Sequence, residues 1–189
     1  MKSDFYLGLV HSPILNKRGK IVTTSVTNLD IHDIARSCKT FGVKNYYIIT
    51  PLKAQHELLD RLLGHWEEDK ANLYNPDRQN ALSIIKRVDS IEDAAKDIKN
   101  NNNSEPTVCV TGAGFKEKGL ETISSNAYRE KIDIDNKPNL LLFGTGWGLT
   151  PEWTSKANLR LDSINGPTDY NHLSVRSAVA IYLSRIFSV

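Results

Sequence analysis

The chain has 189 residues, with 24 lysines and arginines against 22 aspartates and glutamates and a formal net charge of +2. This length suffices for one domain with a substantial core, and the charge permits RNA binding without arguing for it. Cys38 and Cys109 are too few for a disulfide scaffold, and no CxxC pair or nearby histidine suggests a metal site. We therefore expect two reduced core cysteines. The absence of a signal peptide and of a membrane-spanning apolar run favours a cytoplasmic protein.

Apolar patterning predicts strands that alternate with helices. In the first half, the pattern predicts strands at Phe5–Val10, Ile21–Ser25, Asn45–Thr50 and near Ile84–Val88, and helices at Leu29–Phe41, Ala54–Trp66, from Asn75 onwards and from Ser90 to Ile98. In the second half, it predicts a surface loop at Asn100–Pro106, strands at Thr107–Thr111, Leu140–Phe143 and Asn158–Leu161, a loop at Ile164–Asn171 and a helix from Leu173. This alternation indicates an α/β domain with a mostly parallel sheet covered by helices on both faces.

Three glycines spaced two apart, Gly144, Gly146 and Gly148, follow the apolar strand Leu140–Phe143. Such spacing allows bare backbone to approach a ligand at the end of a buried strand. A Walker A loop is excluded, because no lysine follows the glycines at the required place. A dinucleotide-binding fingerprint would need a different third spacing and a position after the first strand.

The second glycine loop, Thr111–Gly114, superficially resembles the start of the short-chain dehydrogenases. Their pattern would place glycine where Lys116 stands, and Tyr128 and Lys131 are one residue too close for their catalytic pair. A nicotinamide-dependent reductase of the short-chain type therefore stays as an alternative function.

Three segments together resemble the signature motifs of the SPOUT class of RNA methyltransferases, which use S-adenosyl-L-methionine. They are Asn28–Val43, Leu142–Leu149, and Ile164–Pro167 with His172–Ala178. Their order and spacing match, and the resemblance covers nearly the whole chain. It is closest to the small bacterial proteins that consist of the methyltransferase domain alone.

The resemblance implies a SPOUT fold, in which a mostly parallel sheet flanked by helices carries a C-terminal trefoil knot. It implies a single methyltransferase domain over residues 1–189, with the knot and the cofactor loops at approximately 107–189. The residues expected to bind S-adenosyl-L-methionine are Thr111, Gly112, Leu142, Phe143, Gly144, Thr145, Gly146, Gly148, Leu149, Ile164, Gly166, Leu173 and Ser174. An adenine edge would bind backbone amides and carbonyls, with Leu142, Ile164 and Leu173 against the ring.

Arg36 occupies the place of the arginine that assists proton removal from a ribose 2′-hydroxyl in the tRNA ribose-methylating relatives. An arginine there can hold a phosphate and favour the developing alkoxide. Asp30 stands where those relatives usually have asparagine, and a carboxylate would suit a guanine ring nitrogen instead. Asp30 could equally cap the helix, and Arg36 could be a surface arginine paired with Asp33 or Asp30. SPOUT proteins are typically homodimers in which this arginine completes the partner's site.

Lys17, Arg18 and Lys20 form a basic turn and are the best candidates for RNA phosphate contacts, followed by Lys116 and Lys118. The predicted function is methylation of tRNA or rRNA on a ribose 2′-hydroxyl or a base nitrogen. A non-catalytic RNA-binding relative with the same fold is the second alternative to an RNA methyltransferase.

Overall fold

The computed structural model describes residues 3–67, 75–114 and 120–188. The strands are β1 (Phe5–Val10), β2 (Ile14–Leu15), β3 (Ile21–Val22), β4 (Asn45–Ile49), β5 (Ile85–Val88), β6 (Thr107–Val110), β7 (Thr122–Ile123), β8 (Asn139–Gly144) and β9 (Leu159–Leu161). Seven of them form one sheet in the order β5-β4-β1-β8-β6-β9-β7, and each of its strand pairs is parallel. The strands β2 and β3 form a separate antiparallel hairpin.

Helices connect these strands on both faces of the sheet. They are α1 (Asn28–Thr40), α2 (Lys53–Glu67), α3 (Pro76–Leu82), α4 (Ile91–Asn102), α5 (Ser125–Asp135), α6 (Pro151–Lys156) and α7 (Val175–Phe187). Side-chain caps begin most of them, and the oxygen atoms that accept a backbone N–H belong to Thr27, Asn75, Ser90, Ser124 and Ser174. The predicted α/β class with a mostly parallel sheet is confirmed.

Both faces of the central strands are buried, as near-continuous apolar runs predict for a parallel sheet. Along β1, Phe5, Leu7 and Leu9 belong to one apolar layer, whereas Tyr6 and Val10 belong to the other. The helices α1 and α7 contribute their apolar stripes to the first layer, and α4 packs on the second. The sheet is therefore held from both sides, and its loops are the parts left to bind a ligand.

The predicted surface loop at Asn100–Pro106 is wrong in its first part, because α4 continues to Asn102. The side-chain amide of Asn102 donates to the carbonyl oxygen of Ile98 and to the hydroxyl of Tyr6. These tertiary and local bonds offset the low helix propensity of asparagine. Asn103, with a φ of 52°, then ends the helix in the left-handed conformation.

The sequence analysis did not predict α5 and α6. The helix α5 buries only Tyr128 and Ile132, so its apolar stripe is weak, and α6 has only six residues. Cys38 and Cys109 are buried and free, as predicted, and burial raises the pKa of both thiols. Within the described residues, no helix is long and apolar enough to span a membrane, and no metal-binding cluster is found.

Candidate functional site

The three predicted cofactor loops lie together at one edge of the sheet. They follow β6, β8 and β9, and the carboxyl ends of parallel strands share an edge. The hydroxyl of Ser163 donates to the carbonyl oxygen of Gly112 at 2.9 Å, and the amide of Asn171 donates to that of Ala113 at 2.8 Å. The amide and the hydroxyl of Thr111 both donate to the carbonyl oxygen of Leu142. Hydrogen bonds thus join the first loop to the third and to β8.

The glycine loop after β8 folds back tightly on itself. A Cβ atom on Gly144 would lie 2.6 Å from the backbone nitrogen of Leu149, so only glycine fits there. Gly146 has a φ of +58°, and a Cβ atom there would meet the side chain of Ile14 at 2.7 Å. The second glycine is therefore pressed against the β2–β3 hairpin rather than against a ligand.

Backbone hydrogen bonds fasten the glycine loop to that hairpin. The amide of Trp147 donates to the carbonyl oxygen of Leu15, and the amide of Leu15 donates to that of Gly148, both at 3.0 Å. The amides of Thr145 and Gly148 also donate to oxygen atoms within the chain. Three amides of the loop thus donate to the protein itself and are not free to bind an adenine ring.

A buried histidine that the sequence analysis did not single out anchors this loop. His11 is fully buried directly after β1, and its Nδ1 atom lies 3.1 Å from the hydroxyl oxygen of Thr24. The hydroxyls of Thr24 and Thr145 are 2.6 Å apart, and the Thr145 hydroxyl donates to the carbonyl oxygen of Val10 at 2.9 Å. This His11–Thr24–Thr145 network ties the end of β1, the hairpin and the glycine loop together.

The order of donors in the network fixes the histidine tautomer. Because Thr145 donates its only hydroxyl proton to Val10, the Thr24 hydroxyl must donate to Thr145, and it then accepts from Nδ1–H of His11. Nε2 of His11 is left as a bare acceptor without a hydrogen-bond partner among the described residues. Burial lowers the pKa of His11 to about 4, an effect that the charge of Asp30 partly opposes, so the ring is neutral.

The predicted cofactor residues differ in what their side chains can reach. The side chains of Leu142 and Phe143 pack in the two core layers, so only their backbone atoms can contact a ligand. Ile164 is half-buried, whereas Leu173 and Trp147 expose large apolar surfaces beside the loops. Ser174 caps α7 by accepting a hydrogen bond from the amide of Ser177.

Asp30 is buried and has both carboxylate oxygens engaged. One oxygen accepts from the hydroxyl of Thr27, and the other accepts from the guanidinium of Arg176 at 3.0 Å. The Thr27 hydroxyl oxygen in turn accepts a hydrogen bond from the backbone amide of Asp30. Thr27 is therefore the N-cap of α1, and the Asp30 side chain supports it. Sequence analysis did not single out Arg176, although a cation in the first turn of a helix is unusual because it opposes the helix dipole.

Arg36 lies six residues beyond Asp30 on α1, a separation of about 9 Å along the helix axis. Arg176, not Arg36, pairs with Asp30 and Asp33, so the predicted surface pairing of Arg36 is not formed. The Arg36 side chain is exposed at a groove between α1, α2 and α3. Within the described part of one chain, Arg36 therefore lines a groove to which none of the three predicted cofactor loops contributes a lining residue.

The three candidate RNA contacts Lys17, Arg18 and Lys20 are exposed at the tip of the β2–β3 hairpin. The side-chain oxygen of Asn16 accepts hydrogen bonds from the backbone amides of Arg18 and Lys20, and these bonds fix the turn. Because β2 is bonded to the glycine loop, the basic tip and the cofactor loop belong to one connected unit. Lys116 and Lys118 lie outside the described residues.

A model of a family described as SAM-dependent RNA methyltransferase matches residues 4–188. The chain belongs to this family. It is 44% identical over 184 residues to a protein of Oleidesulfovibrio alaskensis called tRNA (guanine-N(1)-)-methyltransferase, which covers 97% of the chain but only 42% of that relative. It is also 32% identical to an uncharacterized protein of Aquifex aeolicus, with 100% of the chain and 90% of the relative covered. The guanine-N1 name thus belongs to a protein more than twice as long.

The fold agrees with that of solved methyltransferases. The SpoU methyltransferase AviRb from Streptomyces viridochromogenes, crystallised with AdoMet, superimposes with a TM-score of 0.56 at 15% identity, over 98% of this chain and 57% of that one. Tyr128 and Lys131 lack the spacing of the short-chain catalytic pair, and the side chain of Tyr128, on α5, is fully buried. The family therefore replaces that alternative, and S-adenosyl-L-methionine is the cofactor.

Proposed function

We propose that the chain binds S-adenosyl-L-methionine among Thr111–Gly114, Gly144–Thr150 and Ile164–Ser174 and methylates tRNA. The observation that carries this proposal is that the three loops follow neighbouring parallel strands at one edge of the sheet, with hydrogen bonds that join the first loop to the third and to β8. The cofactor supplies a methyl group on a positively charged sulfur, and the chain's contribution is to align an acceptor oxygen or nitrogen with it.

Open backbone at the loops is compatible with an adenosine ligand. One glycine in each loop, namely Gly114, Gly148 and Gly166, has no atom of the described residues within 4 Å of its Cβ position. The exposed side chains of Leu173 and Trp147 offer apolar surface beside this space. Open space between glycines with apolar side chains at its rim is the chemistry that an adenine ring needs. We assign the C-terminal knot, approximately residues 107–189, to the segment that forms these loops.

A ribose 2′-hydroxyl is the acceptor that the described contacts favour. Both oxygens of Asp30 are already bonded, so using this carboxylate as a base for a guanine nitrogen would require breaking the bond to Arg176 or to Thr27. Arg36 has no ion pair among the described residues and stays free to hold a phosphate beside a developing alkoxide. We assign to the basic hairpin tip, which belongs to the same connected unit as the glycine loop, contacts with the RNA backbone.

The position of Arg36 favours a homodimer. Because Arg36 lies about 9 Å along α1 from Asp30 and faces the groove, we assign it to the site of a second copy. Mixing two inactive variants tests this assignment. Arg36→Ala and Gly144→Val damage different components of the site, so a mixed dimer regains one intact site and activity returns on mixing. Absence of recovery with exchanging dimers contradicts the shared site.

The acceptor atom is tested by transfer of tritiated methyl groups from S-adenosyl-L-methionine to tRNA from cells that lack the protein. Alkaline hydrolysis cannot cleave beside a 2′-O-methylated ribose, so the proposal expects the label in a dinucleotide. Label in 1-methylguanosine would contradict the ribose assignment, and absence of transfer to any tRNA would contradict the proposed activity. Protein carrying Gly64→Ala, remote from the three loops, is the matched control.

A further inference from the structure

The groove beside Arg36 is lined by positively charged side chains. It has a volume of about 400 Å³ and lies between α1, α2 and α3, outside the three cofactor loops. Its lining includes His32, Arg36, His65, Trp66 and Arg78. Cationic and aromatic side chains thus converge on a concave surface of the described part of the chain.

Arg78 is held in place without an acidic partner. Its guanidinium carbon lies 4.9 Å from the centre of the Trp66 ring, a cation–π distance. The rings of His32 and His65 contact the same indole edge-on, each with centroids 5.8 Å from it. Stacking occupies the face of a guanidinium and leaves the N–H groups at its edge free to donate. Among the described residues, Arg78 forms no ion pair.

Among the described residues that line the groove, Asp33 is the one carboxylate, and it already has a cationic partner. Asp33 lies 3.4 Å from the guanidinium of Arg176, on the neighbouring helix α7. Burial lowers the pKa of His32, and the positive charges of Arg78 and Arg36 lower it further against the opposing charge of Asp33. Nδ1 of His32 is buried and has no hydrogen-bond partner in the described residues. Among the described residues, the groove is therefore lined by two arginines without an acidic partner and by one carboxylate that already has a cationic partner.

We propose that this groove binds backbone phosphates of the RNA substrate, with Arg78 and Arg36 as the donors and Trp66 as the platform that orients Arg78. The proposal rests on the proposed function, because it takes RNA as the partner. Phosphate is the anion that a guanidinium edge binds in a bidentate manner, and RNA presents such anions in a row. If Arg36 reaches the site of a second copy, the groove continues that site along the RNA.

Salt dependence of RNA binding tests the phosphate contact. The probe is a fluorescein-labelled mixed bacterial tRNA, titrated with the full chain at several salt concentrations by fluorescence anisotropy. Arg78→Ala is expected to weaken binding and to reduce the slope of log K against log salt by about 1, the loss of one phosphate contact. Arg61→Ala, which removes an exposed arginine from α2 outside the groove, is expected to leave both unchanged.

Trp66 is tested as a positioning residue. Trp66→Leu removes the ring face and is expected to weaken binding as Arg78→Ala does, whereas Trp66→Phe retains an aromatic face and recovers much of the affinity. Thermal unfolding and the dissociation constant of S-adenosylhomocysteine are measured for each variant. If Trp66→Leu does not fold, Trp66→Phe still tests the aromatic platform, and Arg78→Gln tests the phosphate contact without disturbing the indole.

Equal affinities and slopes for Arg78→Ala and Arg61→Ala overturn the proposal. The proposal is also overturned if Arg78→Ala loses the dimer in sedimentation while its RNA binding is unchanged, because a second copy of the chain would then occupy the groove. Binding of inorganic phosphate that Arg78→Ala removes, with tRNA binding intact, also contradicts an RNA site. A different result would contradict the proposed function itself, namely wild-type protein that does not bind S-adenosylhomocysteine.

Discussion

Thr145→Val removes the centre of the network that joins β1, the hairpin and the glycine loop. The Thr145 hydroxyl donates to the carbonyl oxygen of Val10 at 2.9 Å and accepts from Thr24 at 2.6 Å. The carbonyl oxygen of Val10 still accepts a hydrogen bond from the backbone amide of Thr145, so it does not become unpaired. The Thr24 hydroxyl loses its acceptor in a half-buried site. An unpaired hydroxyl of this kind costs about 1–3 kcal/mol of unfolding free energy.

Urea unfolding followed by circular dichroism gives that free energy, and calorimetry gives the dissociation constant of S-adenosylhomocysteine. We expect Thr145→Val to lose stability and bind the ligand more weakly, because the glycine loop loses its side-chain bonds to Val10 and Thr24 and keeps only the backbone bond to β1. Thr145→Ser keeps the hydroxyl and is expected to stay within about 1 kcal/mol of the wild type. The double variant Thr24→Val, Thr145→Val should cost less than the sum of the single changes, because they share a bond. Unchanged stability and affinity in Thr145→Val would refute the reasoning.

The remaining predictions concern the histidine, a glycine and the buried ion pair. The pKa of His11 is about 4 in the folded chain and about 6.5 in the unfolded chain, so the neutral ring contributes about 3 kcal/mol to the free energy of unfolding above pH 6.5, and this contribution is lost as the pH falls toward 4. His11→Gln should flatten this part of the pH profile measured by urea unfolding. Parallel profiles for the variant and the wild type would contradict the assignment. Gly144→Ala should lose about 1–3 kcal/mol and most ligand affinity, whereas Gly64→Ala, with open space in a helix, should not lose stability. Arg176→Ala leaves Asp30 buried without its cation and should lose about 1–3 kcal/mol on urea unfolding, a loss that Arg176→Lys partly restores; equal stability would show that the pair contributes nothing.

The sequence was sufficient to predict the fold class because apolar patterning marks buried parallel strands directly. The run Leu140–Phe143 is buried on both faces, and Asn75 and Ser90 cap helices where their side chains predicted helix starts. The helix α5 could not be predicted in this way, because only two of its eleven residues are buried. Its position depends on tertiary contacts rather than on a local pattern.

The sequence marked the position of the glycine loop but not the residues that support it. The glycine spacing located the loop after β8, but the reason for each glycine differs, since Gly144 meets backbone and Gly146 meets the hairpin. Arg176 is bonded to Asp30, far away in the sequence, and His11 is bonded to Thr24 on the other side of the β2–β3 hairpin, so no local pattern marked either of them. Long-range hydrogen bonds of this kind become visible only when the strands are placed beside one another.

Hydrogen–deuterium exchange with and without S-adenosylhomocysteine tests the central claim, that one cofactor binds among three loops of this chain. Amide exchange is expected to slow in peptides that contain Thr111–Gly114, Gly144–Thr150 and Ile164–Ser174, with little change in α4, which contributes to none of the three loops. Saturating ligand that protects none of these loops, or that protects a different surface, would contradict the account.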